Sequence, residues 1–360
     1  MTPREFEAQL SADFAAKLLA ALPEPAFIVA GDGRVAANNA PALLILPALK
    51  IGDHFVLAMR APTVIEARRR AIAGGQAQSV QWSERVPVER LFEVCVAPLS
   101  DDAGKVFATL ITLRDLTEQR RVERMRVDFI ANASHELRTP LASMLGFVET
   151  LQGSAKDDPK AREKFLPIMR EQGQRMSRLI DDLLSLSRIE QKQHLRPEGI
   201  VDLCLVTRHV VDSLAPLAQE MRVNLALSAD GPLMVTGDRD ELTRVAENLI
   251  ENAIKYGSRQ DSSGHNLVEI AVTGNDREAI LSVRDFGYGI AAEHLPRLTE
   301  RFYRVDAHQS RAKNGTGLGL AIVKHIMTRH RGRLSISSQA NRGSVFAATV
   351  PLHLGEPNNR

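Results

Sequence analysis

Four groups of residues in the chain have the types and spacing for chemistry. The first is Ser134-His135-Glu136-Leu-Arg138-Thr139-Pro140, a histidine beside a carboxylate. An imidazole is a nucleophile near neutral pH, and an adjacent carboxylate can orient it and take up its proton. The second is Asn248, Asn252 and Lys255, spaced to share one helix face. Amide oxygens suit a hard Mg2+ ion that already carries phosphates and waters, and a lysine balances phosphate charge. The third is Asp285-Phe-Gly287-Tyr-Gly289-Ile290, which follows an apolar strand pattern. A carboxylate at a strand end can accept from an adenine amino group, and neighbouring glycines let the backbone approach the base. The fourth is Gly315-Thr316-Gly317-Leu318-Gly319-Leu320 ahead of a helical pattern, where backbone amides and a helix N-terminus can face phosphate oxygens.

Each group has a plainer reading alone: an exposed histidine on a bundle, a polar helix face, or tight turns. Other nucleotide motifs fail on spacing. Leu320 stands where GxGxxG needs its third glycine, and GxxxxGK[ST] is absent, which disfavours Rossmann and P-loop folds.

The elements that must position these groups follow from periodicity. Val122, Met125, Phe129, Ala133, Leu137, Leu141, Leu145 and Val148 draw one stripe along a helix from Thr117 to Leu151, leaving His135 and Glu136 off it, with His135 facing water. Pro140 removes a helical N–H and should bend or loosen the helix just past the histidine. Arg120, Arg121, Arg124 and Arg126 crowd its first turns, as a solvated coiled face or a membrane-surface contact. Residues 152–158 form a loop, after which Asp158 caps and Pro159 opens a second helix. Its stripe is Phe165, Ile168, Met169, Met176, Leu179, Ile180, Leu183 and Leu186. One such hairpin cannot bury both stripes; two can close into a four-helix bundle, so a homodimer is expected.

Strands and helices alternate from about Glu198, and Asp238 to Tyr256 is the helix carrying the asparagines, with Leu242, Val245, Leu249, Ile250 and Ala253 inward. At the N-terminal end Glu5 to Leu22 reads as a helix through Phe6, Leu10, Phe14, Leu18 and Leu22. Strands follow at Ala26–Ala30, Arg34–Asn38, Val80–Val86, Leu91–Leu99 and Val106–Asp115. Trp82, Phe92 and His54 could line a pocket there or simply form core.

The chain has 360 residues, enough for two or three domains, and a net charge of +2, which points to neither nucleic acid nor an acidic substrate. Cys95 and Cys204 lack metal-ligand or disulfide-framework spacing. The longest apolar patch, Ala42 to Leu49, is broken by Pro47 and falls short of the roughly 18 residues of a membrane span. The chain as given is therefore expected to be soluble and cytoplasmic, with inner-membrane anchoring if a preceding segment has been removed.

The box Ser134 to Leu141 resembles the phosphoacceptor box of bacterial two-component sensor histidine kinases. The downstream groups resemble the Bergerat ATP-binding fold that those kinases share with gyrases, Hsp90 chaperones and mismatch-repair ATPases. By that resemblance Asn248, Asn252, Lys255 and Tyr256 are the N box, with Asn252 the magnesium ligand. Asp285, Gly287, Gly289 and Ile290 belong to the first glycine box, and Phe302, Tyr303 and Arg304 to the F box. Gly315, Thr316, Gly317, Leu318, Gly319 and Leu320 form the second glycine box, and Gly343 with Ser344 the last. The charged segment between Ile290 and Asn314, with Arg301, Arg304, Arg311 and Lys313, corresponds to a mobile ATP lid.

The strand order of the first third, with Arg114-Asp-Leu-Thr117 at its exit, resembles a PAS sensor domain. The implied fold is multidomain α+β: an N-terminal helix start at 1–11, a PAS-like α/β sensor at 12–117, a dimeric helical hairpin at 118–192 and a Bergerat α/β sandwich at 198–355. The PAS placement and the wording of Phe129 to Leu141 together resemble phosphate-regulon-type sensor kinases.

The implied activity is autophosphorylation of His135 from Mg-ATP, then transfer to an aspartate of a response regulator receiver domain. Glu136 would serve the imidazole, and Thr139 would position a water for regulator dephosphorylation. Two alternatives stand beside it: an ATP-hydrolysing conformational machine and a catalytically silent PAS dimer scaffold. The first is disfavoured because hydrolysing relatives carry a carboxylate four residues before the magnesium asparagine, where this chain has Asn248.

Overall fold

The computed structural model describes residues 14–84, 89–229, 231–257, 266–305 and 315–353, which fall into two compact units, Met1–Asp128 and Phe129–Arg360. Phe6, Leu10, Val86, Arg311 and Lys313 lie outside the described residues.

The first unit opens with helix α1 at 14–20, whose Phe14 and Leu18 are exposed while Leu19 is buried. Strands β1 (Ala26–Ala30) and β2 (Val35–Asn38) precede α2 (Ala40–Ile45) and α3 (Pro62–Gly74), followed by β3 (Gln78–Glu84), β4 (Arg90–Ser100) and β5 (Val106–Asp115). They form one antiparallel sheet in the order β2-β1-β5-β4-β3. Alternation along β4 turns Phe92, Val94 and Val96 into a core with Phe27, Phe55, Met59, Ile111 and Leu113. Buried Asn39 satisfies its whole side chain. Its Oδ1 accepts from the N–H groups of Ala26 and Ala42, and its Nδ2 donates to the carbonyls of Leu19, Leu22 and Glu24. Trp82 stacks on buried Phe92 with ring centroids 5.3 Å apart. His54 is exposed, stacks on Phe55, and its ring nitrogen accepts from the Val56 N–H. Both residues are thus engaged within the domain's own packing.

Helix α4 (Thr117–Gln152) continues through Pro140, which is buried. The helix is continuous as expected, and Thr139 Oγ1 donates to the His135 carbonyl at 3.2 Å in the turn before the proline. Asp158 caps α5 (Pro159–Gln191) by accepting from the N–H groups of Lys160 and Ala161, and Phe147 meets Phe165 across the hairpin. Leu179, Leu186 and Ile189 are buried, whereas Leu141, Leu145, Leu166, Ile180 and Leu184 remain exposed.

Beyond the hairpin come β6 (Ile200–Asp202), α6 (Leu203–Glu220), β7 (Val223–Ala229), β8 (Met234–Thr236), α7 (Arg239–Tyr256), β9 (Asn266–Gly274), β10 (Glu278–Asp285), α8 (Gly319–Arg329), β11 (Arg333–Gln339) and β12 (Gly343–Pro351). The sheet runs β11-β12-β10-β9-β7, antiparallel except for the parallel pair β7/β9, while β6 and β8 form a separate ribbon. Helices α6, α7 and α8 pack on it, giving a two-layer sandwich with one core. No helix among the described residues is long and apolar enough to cross a membrane.

A buried histidine staples two of these helices. His330 is fully buried; its Nδ1 faces the Ile326 carbonyl at 2.8 Å and its Nε2 accepts from the Asp238 N–H at 3.0 Å. That geometry assigns the neutral Nδ1–H tautomer, because Nε2 faces a donor. Burial, with charged Arg329 alongside, pushes its pKa below the ordinary value, while Ile326, Glu241 and Asp238 pull it back up in part. The unfolded chain therefore binds a proton that the folded chain rejects. Stability is full above about pH 6.5 and falls as pH drops through and below that value. Thermal melts at pH 7.5 and 5.5 should show a lower melting temperature at pH 5.5, and the difference should shrink in His330→Gln.

Candidate functional site

The site is built on α7. Asp238 caps it through the N–H groups of Asp240 and Glu241, and Leu242, Val245, Ala246, Leu249, Ile250 and Ala253 fill the core. This fixes the opposite face, where Glu247, Asn248, Glu251, Asn252 and Lys255 line a cavity of about 520 Å³. Asn248 donates to the Arg244 carbonyl at 2.8 Å, and its Oδ1 lies so close to Gly319 that a side chain there would collide with it. Lys255 pairs with Glu251 at 2.6 Å. Burial, reinforced by Glu251, pushes the Glu247 carboxyl pKa up, and Arg244 only partly offsets this.

Asp285 closes one end. Alternation along β10 puts it on the same face as Ala279, Leu281 and Val283, so the strand's last residue is a buried acid. Its Oδ1 accepts from the N–H groups of Gly287 at 2.9 Å and Ser344 at 3.3 Å, its partner across β12. Burial raises its pKa, and these hydrogen bonds offset only part of the rise. Ser338 Oγ takes the Ile290 N–H and meets Ser344 Oγ, fixing the loop beneath the acid.

The other end is the start of α8, whose N-terminus has no side-chain cap among the described residues. Thr316 Oγ1 accepts from the Leu318 N–H, and the Gly317 carbonyl accepts from the Phe302 N–H at 2.8 Å. A Cβ on Gly317 would meet the Phe302 backbone at 2.9 Å, so the two boxes can approach only because residue 317 is glycine.

Asn248, Asn252, Lys255, Tyr256, Asp285, Gly289, Ile290, Tyr303, Arg304, Gly315, Thr316, Gly317, Gly319, Leu320 and Ser344 all line the one cavity. Two expected contacts do not. Leu318 is fully buried in the core, and Gly287 is set back, holding Asp285 through its N–H. The residues without local sequence signals are Arg178, Asp181, Asp182 and Arg244, which also line the cavity. The first three come from α5, a helix far away in the chain.

His135 is exposed on α4, and Thr139 one turn on is exposed as well. Glu136 has partners that the motif does not announce. Arg175 of α5 reaches it at 2.9 Å, and Arg304 bonds both its oxygens, at 3.1 and 3.4 Å. Two guanidinium groups therefore share the carboxylate expected to serve the imidazole. Phe302 packs against Phe129, and Arg301 lies over Phe129 and bonds Glu190 at 2.5 Å, so the F-box segment is tied to the hairpin.

Three family profiles match the chain: "His Kinase A (phospho-acceptor) domain" over residues 125–192, "Histidine kinase-, DNA gyrase B-, and HSP90-like ATPase" over 237–354, and "PAS fold" over 19–121. The phosphate regulon sensor protein PhoR of Pseudomonas aeruginosa is 38% identical over 252 residues, 70% of this chain and 56% of that protein. The sensor protein kinase WalK of Staphylococcus saprophyticus is 32% identical over 340 residues, 91% of this chain and 54% of that protein. The chain thus spans about half the length of these curated relatives. A solved structure of histidine kinase ThkA in complex with the response regulator protein TrrA aligns with 96% of this chain and 99% of its own at 20% identity, with a TM-score of 0.49.

Proposed function

We propose that this chain, which belongs to the sensor histidine kinases of two-component signalling, phosphorylates its own His135 from ATP and passes the phosphoryl group to an aspartate of a response regulator. The observation that carries the reading is the single cavity with a buried acid at one end and an uncapped helix start at the other, in the same unit as an exposed histidine.

Asp285 accepts from the adenine amino group, and the amides from Gly315 to Gly319 with the α8 N-terminus receive phosphate oxygens. The donor set fits a hard divalent ion: Asn252 offers an amide oxygen on a face that also carries Glu247 and Glu251, with room for phosphate and water ligands. Bound Mg2+ would supply charge neutralisation along the polyphosphate. Asn248 hydrogen-bonds its own helix and is an amide, not a base, so nothing at that position activates water for hydrolysis. In the transfer step a nitrogen of His135 bonds the γ-phosphorus, the bond to the β,γ-bridging oxygen breaks, ADP leaves, and the imidazole proton is lost. Glu136 is the acceptor for that proton, and Arg304 must first let go of it. Thr139 would align water against a phosphorylated regulator, a role that its exposure one turn beyond His135 supports.

The exposed apolar residues of α4 and α5 are the surface on which a second copy completes a four-helix bundle. The same reading puts the chain in the cytoplasm, where nucleotide and regulator are available. Incubation with γ-labelled ATP, magnesium and a panel of purified receiver domains tests the reading. Label should move to one or a few receivers from the wild-type chain and to none from His135→Gln; label on receivers without His135 would contradict it.

A further inference from the structure

The phosphate end of the cavity already holds an anion. Asp182 of α5 accepts from Thr316 Oγ1 through one oxygen and from Arg244 Nη2 through the other, both at 2.7 Å. Its side chain is only 19% exposed. A hydroxyl of the second glycine box and a guanidinium beside an uncapped helix start are the donors a terminal phosphate would use, and here a carboxylate uses them. Asp181 and Glu247 line the same cavity, as do Arg178, Lys255 and Arg304.

We propose that Asp182 is a nucleotide-discriminating residue: it holds Thr316 and Arg244 in place of a terminal phosphate, so that ADP binds beside it whereas a triphosphate must expel it. This rests on the ATP-binding reading above. Expelling Asp182 also separates α5 from the glycine box, so binding of the triphosphate loosens the contact between hairpin and nucleotide lobe. The carboxylate is set against phosphate oxygens in a partly dry cleft, where like charges repel more strongly than in water. The sequence carries no local sign of this contact, because the three partners come from α5, α7 and the loop before α8.

Titration calorimetry on the full chain, with ADP and with a non-hydrolysable ATP analogue in magnesium buffer, tests it. Asp182→Asn keeps the shape and removes the charge. Affinity for the triphosphate should rise about tenfold, and for ADP by less than about twofold, so that the ratio moves toward the triphosphate. Thr316→Val, which removes the hydroxyl, should leave the triphosphate no tighter than in wild type. An unchanged ratio in Asp182→Asn overturns the proposal, as does a loss of triphosphate affinity or a lower melting temperature with the ratio unmoved, which would make Asp182 a structural strut. A wild-type chain that binds neither nucleotide removes the underlying reading as well, and so is distinguishable from failure of the discrimination alone.

Discussion

Asp285→Asn should lower ATP affinity by about a hundredfold or more while leaving the fold as stable as before or more so. The two halves of this result have one cause. Burial raises the Asp285 pKa, so its charged form is disfavoured inside the protein. The stabilising contribution of such a group is present below its unfolded pKa, near pH 3.9, and lost as pH rises through the raised folded value. At neutral pH the carboxylate therefore weighs against folding. An asparagine keeps an oxygen for the N–H groups of Gly287 and Ser344 but, in the proposed complex, would turn its amide donor toward the adenine amino group, also a donor. Replacing a charge-assisted hydrogen bond by two facing donors in a buried site costs about 3 kcal/mol, or a hundredfold in affinity. Calorimetry and a melt at pH 7.5 check both parts. A variant that still binds ATP normally would remove Asp285 from the site; one that unfolds would make it a structural residue.

Gly289→Ala should cost the nucleotide lobe about 3 kcal/mol or more, shifting its melting temperature down by about 10 °C. The backbone there has φ 66°, in the left-handed region, and an added Cβ would lie 2.1 Å from the Gln339 carbonyl oxygen and 3.2 Å from that of Gly343. Backbone strain and overlap with a strand end act together, and neither neighbour is a flexible side chain. Gly231→Ala is the control. It too has positive φ, at 82°, but nothing within 4 Å, so only the conformational cost of roughly 1 kcal/mol should appear. Equal shifts for the two variants would contradict this account of the first glycine box.

These predictions show which features a sequence can carry and which it cannot. The inward face of α7 is legible because a helix repeats every three to four residues, and each apolar position expected there is buried. Asp158-Pro159 announces a helix start, and the cap forms as expected. Strands β1 and β5 have the expected limits: turn residues bound β1 on both sides and precede β5, which runs through Leu116 into α4. Strand β3 begins earlier than its apolar run, because Gln78 and Ser79 take their register from Val96 and Cys95 rather than from their own side chains.

Pro140 sits inside a helix whose apolar stripe carries it on to Gln152, so the periodicity reads the element's extent better than the proline does. Leu318 illustrates the limit of a motif: a box of six residues reads as a ligand cradle, yet its leucine belongs to the core, since a loop that opens a helix must anchor somewhere. The partners of Glu136 and Thr316, Arg175 and Asp182, come from a different helix. Pairs set by docking of one element on another leave no periodicity to read.

The central claim is that an exposed imidazole receives phosphate from nucleotide held in the lobe beside it. Peptide mapping by mass spectrometry under conditions that preserve acid-labile phosphate, after incubating the full chain with ATP and magnesium, tests it most directly. The account predicts phosphate on His135 in the wild-type chain and its absence in Asp285→Asn at the same ATP concentration. An unmodified His135, or phosphate on another residue instead, would contradict it.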